Sequence, residues 1–279
     1  MSLELYHKTC QKYSKIITND YSTSFSLGIK TLNRKYHAPI YSIYGFVRFA
    51  DEIVDTFHEY DKIKLLNTFK SMTYEAIEEK ISTNPVLDSF QQVVNKYEIN
   101  KDLIDAFLHS MEMDLKEKRY CEEKYQQYIY GSAEVVGLMC LKVFCNGNKE
   151  NYSGLLEPAR RLGAAFQKVN FLRDVQSDYR ERGRIYFPGV DFDNFTEAAK
   201  KFIENDIEQD FNAAKAGIRK LNKDTKLGVY LAYIYYLALF NKIKKIHPSV
   251  ILTKRIRITN TKKYLLFIKA LLHKWFNRI

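Results

Sequence analysis

Nearly the whole chain carries apolar residues three and four positions apart, the period that places them on one face of an α-helix. The pattern predicts helices over 3–17, 38–56, 63–81, 86–97, 103–115, 125–144, 155–179, 195–221 and 227–246. No run of alternating apolar and polar residues signals a strand, and no repeat or low-complexity segment interrupts the pattern. Glycine (11) and proline (5) are scarce, which disfavours turn-rich sandwiches and barrels. Asn84-Pro85 and Asn100 read as helix starts and Pro248 as a stop. Asn146-Gly147-Asn148 reads as a turn between two of the longest helices. With 279 residues, 46% of them hydrophobic, the expectation is one all-α domain of roughly ten helices spanning 1–279.

Charge divides the chain at about residue 241. Eleven of the 44 Lys and Arg lie beyond that point with no acid among them (Lys242, Lys244, Lys245, Lys254, Arg255, Arg257, Lys262, Lys263, Lys269, Lys274, Arg278). The remaining 33 basic residues face all 33 acidic ones, so the tail carries the whole net charge of +11. Such a tail suits an anionic surface, lipid headgroups or nucleic acid. Leu265, Ile268, Leu272, Trp275 and Phe276 recur at near-helical spacing among those cations, as in an interfacial amphipathic helix. A terminal helix docked on the body with a solvated basic face explains the same spacing, and the two readings are compatible. Cys10, Cys121, Cys140 and Cys145 show no metal spacing and read as reduced thiols of a cytoplasmic protein. Residues 1–15 contain no apolar run of the signal-peptide kind. The longest apolar stretch, 228–240, is too short to span a bilayer and reads as a core helix.

Two stripes carry chemistry. Gln167, Asn170, Asp174 and Asp178 stand at offsets of three, four and four, one face over about three turns. Arg48, Asp51 and Asp55 repeat the pattern in a helix otherwise rich in Ile, Phe, Val and Ala. Glu52 projects about 100° from Asp51 and is the weaker ligand candidate. Carboxylates on an apolar background need a positive partner. If the two helices face each other, four carboxylates converge on a cavity, a donor set that suits Mg²⁺. Arg48, Arg173, Arg180, Arg182 and Arg184 would then grip phosphate oxygens. No glycine-rich phosphate loop is present, which argues against an NTPase of that type. The six histidines form no cluster.

Five stretches give the sequence a resemblance: "YSTSFS" (21–26), "YGFVRFADEIVD" (44–55), "MEMDL" (111–115), "YIYGSAEVVG" (128–137) and "FQKVNFLRDVQSDYRERGRIYFP" (166–188). In order and spacing they resemble the squalene/phytoene synthase family of head-to-head prenyl transferases, nearest in wording to bacterial phytoene synthases. The resemblance implies the all-α isoprenoid synthase bundle around a deep apolar cavity. It implies condensation of two prenyl diphosphates through a cyclopropylcarbinyl diphosphate: geranylgeranyl diphosphate to phytoene, or farnesyl diphosphate to a C30 product. Mg²⁺ is the expected cofactor, with Mn²⁺ as a substitute, and no NADPH is expected for phytoene formation.

Carried over residue by residue, the resemblance makes Asp51, Asp55, Asp174 and Asp178 metal-binding and catalytic, with Asn170 as a further ligand. Gln167, Arg48 and Arg173 fall to the diphosphate, and Arg184 and Tyr186 to a segment folding over the site. Tyr130 falls to the reaction centre, and Ser22, Ser24 and Phe25 to the cavity wall. Small residues near 131–137 are compatible with a long tunnel. Two departures stand out: DEIVD replaces the commoner DDxxD, and Thr23 occupies a position where many members carry a lysine. A non-catalytic assembly factor on the same fold, and a basic helical protein acting through its tail alone, are the competing classes. Retention of four aspartates argues against both. The expected partners are a prenyl diphosphate, an anionic membrane and downstream carotenoid enzymes, with no nucleic acid. The expected location is cytoplasmic and peripheral to the membrane.

Overall fold

The computed structural model describes residues 2–276 and 279; Met1, Asn277 and Arg278, the last a tail cation, lie outside the described residues. The helices are α1 (Leu3–Tyr21), α2 (Thr23–Lys30), α3 (His37–Asp55), α4 (Lys62–Glu79), α5 (Pro85–Tyr97) and α6 (Lys101–Lys116). They continue with α7 (Glu122–Ile129), α8 (Val135–Cys145), α9 (Lys149–Val175), α10 (Glu197–Lys220), α11 (Lys223–Lys244), α12 (Pro248–Ile251) and α13 (Asn260–Trp275). Among the described residues the one β feature is an isolated bridge between Arg119 and Ile185.

Local chemistry sets the boundaries. The Asn84 side chain accepts from the backbone of Val86 and Leu87 ahead of a proline-led α5. Asn146 and Gly147 take positive φ (46° and 85°) in the turn before α9, whose Asn148 N-cap accepts from Asn151. Pro248 differs from its expected role as a stop. The preceding helix already ends at Lys244, and Pro248 opens α12, where a missing N–H loses nothing. The eight-residue α2 escaped the periodicity because Ser, Thr and Gly make up half of it.

The core has two lobes. In the first, the fully buried Phe46 of α3 stacks on Phe90 with ring centroids 3.9 Å apart and lies against Phe69 and Phe107. Truncating such a ring typically costs about 3–5 kcal/mol. In the second, α9, α10 and α11 bury Phe171, Phe211, Leu231 and Phe240. Gly217 of α10 meets Pro158 of α9 so closely that an added Cβ would stand 2.2 Å from the proline Cβ; the missing side chain lets the helices close. The continuous helical span Glu122–Cys145 is long and apolar enough to cross a bilayer by composition, though half of its apolar window is buried in the bundle. That property falls there rather than on 228–240, which lies within α11 and contributes Leu231, Tyr233, Ile234 and Phe240 to the core.

Candidate active site

Helices α3 and α9 bring the two aspartate stripes together. Asp51 and Asp55 end α3, while Asp174 lies in the last turn of α9 and Asp178 in the π-helical segment Gln176–Glu181 that continues it. Arg182 spans both stripes, 3.1 Å from Asp178 and 3.7 Å from Asp55. Burial, reinforced by Asp55, Asp114 and Glu52 over the opposing pull of Arg48, pushes the Asp51 carboxyl up to about 8. Burial and the neighbouring Asp174 push Asp178 to about 7. Crowded, buried carboxylates of this kind resist ionisation, and positive charge beside them lowers that cost. Among the described residues no three His, Cys, Asp or Glu side chains close into a finished cage.

The arginines interleave with the acids. Arg48 pairs with Glu52 and lies 3.9 Å from Asp51. The second acid of DEIVD therefore acts here as a partner for Arg48. Arg173 Nε donates to Asp174 Oδ1 at 3.0 Å, and Arg255 Nε reaches the same oxygen at 2.7 Å. Arg184 Nη1 donates to Asp55 at 3.1 Å, and its Nη2 to the backbone carbonyl of Asp114 at 3.0 Å.

Asp114, which the sequence reading left unassigned within "MEMDL", organises the segment after Asp178. Its carboxylate accepts from Tyr128 (2.6 Å), Tyr186 (3.0 Å) and Tyr120 (3.2 Å). Burial pushes this carboxyl up, while Arg184 and the phenols pull it down. Two backbone hydrogen bonds, Ile185 N to Lys118 O (2.8 Å) and Tyr120 N to Ile185 O (3.3 Å), pin the chain beside it. The expected lid is thereby narrowed: Arg180–Gly183 are exposed, whereas Ile185, Tyr186 and Phe187 belong to the core.

Below this polar mouth lies a cavity of about 480 Å³, within the range of small-molecule sites. Ser22, Phe25, Arg48, Asp51, Gln167, Asn170 and Arg173 line it, with apolar walls that include Ile29, Val47, Val136, Leu162 and Phe166. Ser24 does not line it. Tyr236 closes one side, stacking on Phe166 at 4.0 Å and donating to Asn170 Oδ1 at 3.2 Å. Asn170 also donates to Gln167 at 3.5 Å.

Tyr130 needs correction. It faces a separate hollow of about 310 Å³ with Lys142 and Tyr152, and Arg160 sits 5.4 Å over its ring. Tyr128 is the tyrosine that lines the cavity beneath the aspartates and arginines. Two positions along a helix turn a side chain by about 200°, and choosing the wrong tyrosine of "YIY" reverses the face. The π-helical segment Tyr130–Glu134 follows at once, where Gly131 lies so close to Ala106 that a Cβ would meet its carbonyl oxygen at 2.4 Å. Gly131 thus serves helix contact, while Ser132, Ala133 and Gly137 do line the cavity.

Asp114, Tyr128, Tyr236 and Arg255 are site residues that the sequence reading missed. In sequence Arg255 is one of the cations of the basic tail, with no local pattern that marks it. "MEMDL" offered a signal for Asp114, an acid between apolar neighbours; Tyr236 sits in an aromatic run that reads as core.

Comparison with known proteins agrees with this geometry. The squalene/phytoene synthase family profile matches residues 18–262. The chain is 22% identical over 274 residues to the 4,4'-diapophytoene synthase of Staphylococcus haemolyticus, covering 92% of this chain and 94% of that one. It is 28% identical over 274 residues to the chloroplastic phytoene synthase of an Oncidium hybrid cultivar, covering 88% of this chain but 64% of that longer protein. A dehydrosqualene synthase crystal structure superposes with a TM-score of 0.84 at 22% identity, covering 96% of this chain and 97% of its own. That likeness establishes the isoprenoid synthase fold. The chain belongs to the squalene/phytoene synthase family of prenyl transferases.

Proposed function

We propose that the chain condenses two geranylgeranyl diphosphates head to head into phytoene, in a Mg²⁺-dependent reaction. The observation that supports this reading is a double row of aspartates interleaved with arginines at the mouth of an apolar cavity. Asp51, Asp55, Asp174 and Asp178 would hold the metal with Asn170 nearby, and the raised carboxyls of Asp51 and Asp178 fit such a role. Mn²⁺ accepts the same oxygen donors. When bound, the metal neutralises charge on a departing diphosphate. Arg48, Arg173, Arg182 and Arg184 hold the phosphate oxygens, each exchanging a carboxylate for them. Tyr186, fixed by Asp114, backs the cavity-lining Tyr128 with ring centroids 5.1 Å apart, and the aromatic rings of Phe25, Tyr128, Phe166 and Tyr236 would face a cationic intermediate without offering a strong nucleophile. Proton loss ends the proposed reaction, so no hydride donor is used.

The Staphylococcus relative, matched along nearly its whole length, favours a second reading with farnesyl diphosphate and a C30 product. Product analysis with each diphosphate in turn separates the two: a C40 hydrocarbon supports the proposal, and a C30 hydrocarbon formed in preference replaces it.

We also propose peripheral attachment to an anionic membrane on the cytoplasmic side, where downstream carotenoid enzymes could receive a greasy product. Helix α13 docks on α11 through Leu266 and Ala270 while the opposite face exposes Leu265, Ile268, Leu272 and Trp275 (82% exposed) among Lys262, Lys269 and Lys274. The docked face and the exposed apolar and basic face belong to one helix, which supports the membrane reading. Each cation near an anionic surface contributes about 1 kcal/mol. In liposome flotation, the Leu272→Ser/Trp275→Ser variant should lose binding to anionic vesicles; equal flotation of variant and wild type would remove the membrane reading.

A further inference from the structure

At the mouth of the cavity the arginines described above are each matched by an acid. Arg48 meets Glu52, Arg173 and Arg255 meet Asp174, Arg182 meets Asp178, and Arg184 meets Asp55. Lys263 differs. Its Nζ donates to the hydroxyl of Thr23 at 3.0 Å, and among the described residues no carboxylate pairs with it. Thr23 opens α2 directly after Ser22, a cavity-lining residue, and the Tyr21 ring lies 4.3 Å from the Arg48 guanidinium. The ammonium therefore stands on the Arg48 side of the mouth, next to the diphosphate-binding residues of the proposed site.

The position of Lys263 is built by the fold. Tyr235 of α11 donates to its backbone carbonyl at 2.9 Å, and one turn further along α13 buries Leu266. A half-buried cation beside a second cation is unfavourable unless something negative compensates it, and both burial and Arg257 act against the charged form. One neutral hydroxyl is weak compensation; a phosphate oxygen would be strong. Thr23 also occupies the position where the resemblance leads one to expect a lysine. The cation missing from α2 returns from a residue 240 positions later in the chain.

We infer that Lys263 is a diphosphate-binding residue, delivered by the C-terminal helix to the position that Thr23 leaves without charge. This assignment rests on the diphosphate reading of the site. It also gives part of the basic tail a role at the active site, separate from any membrane.

The test is calorimetric titration of inorganic diphosphate, with Mg²⁺ present, into the full chain. The proteins compared are wild type, Lys263→Met, Lys263→Arg and the Thr23→Lys/Lys263→Met swap. Lys263→Met should weaken binding by about tenfold, the size of one charge-assisted contact. Lys263→Arg should lose less, and the swap should recover most of the loss, which a merely structural role for Lys263 would not allow. Equal binding by wild type and Lys263→Met overturns the assignment while leaving the site reading intact. Failure of the swap to recover binding also counts against it. A wild type that binds no diphosphate overturns both.

Discussion

Replacing Asp114 by Ala should be more damaging than any single contact suggests. The substitution removes the acceptor of three phenolic hydroxyls at once: Tyr128, Tyr186 and Tyr120, at 2.6, 3.0 and 3.2 Å. The three tyrosines are only 3%, 6% and 5% exposed, so bulk water cannot substitute. A buried donor left without a partner costs about 1–3 kcal/mol. Taking the low end for each, and less for the long Tyr120 bond, gives about 2.5 kcal/mol. For a domain of this size that corresponds to a drop of about 5 °C in Tm. Asp114→Asn keeps one carbonyl acceptor and should lose less than half as much. Tyr186→Phe deletes a single hydroxyl and should cost about 1 kcal/mol. The assay is urea and thermal unfolding of all three variants, with the Asp114→Asn/Tyr186→Phe double variant to measure coupling. A Tm for Asp114→Ala within about 2 °C of wild type would refute the idea that this carboxylate is the organising acceptor. Additive Asn and Phe effects would show that the network is not cooperative.

Other outcomes follow from the same geometry. Asp51→Ala and Asp174→Ala should each abolish diphosphate release while far-UV circular dichroism stays unchanged; turnover within a few-fold of wild type in either would dismiss the metal site. Asp51 and Asp178 have carboxyls raised to about 8 and about 7 from 3.8, so the ligand-free folded state holds protons that the unfolded chain releases. Their contribution to stability is therefore complete below about pH 4 and fades as pH rises towards 8. Wild-type Tm without Mg²⁺ should fall between pH 5.5 and 8.5, and Asp51→Asn should flatten the slope; an equally steep slope in the variant would contradict the assignment. Trypsin should cut at exposed Arg180 or Arg182 more slowly once Mg²⁺ and inorganic diphosphate are added, and an unchanged rate would argue that Arg180–Gly183 is no lid.

Helix content and the two aspartate stripes were legible because both depend on local spacing. A three–four period needs no knowledge of what the helix packs against, and Asp-x-x-x-Asp on an apolar background announces its own expense. Contacts that join distant segments were not legible. Arg255 reaches Asp174 across 81 positions and Arg184 reaches Asp55 across 129, and no local pattern encodes such a pairing. Tyr128 and Tyr130 show a finer limit. Both tyrosines fit a helix, and the face each presents was settled by packing against Asp114 on one side and Arg160 on the other. The C-terminal cations looked uniform in sequence, yet they divide by partner. Arg255 and Lys263 turn to the cavity mouth, Lys244 pairs with Glu208, and Lys262, Lys269 and Lys274 stay exposed.

The central claim is that two identical allylic diphosphates are joined in one Mg²⁺-dependent site. Its most direct test is the stoichiometry of diphosphate to hydrocarbon when the purified chain turns over geranylgeranyl diphosphate. Two diphosphates released for each C40 hydrocarbon, with release abolished by a chelator, is the predicted result. One diphosphate released for each C20 alcohol or hydrocarbon, with no C40 product, would show that the site ionises its substrate without joining two, and would contradict the account.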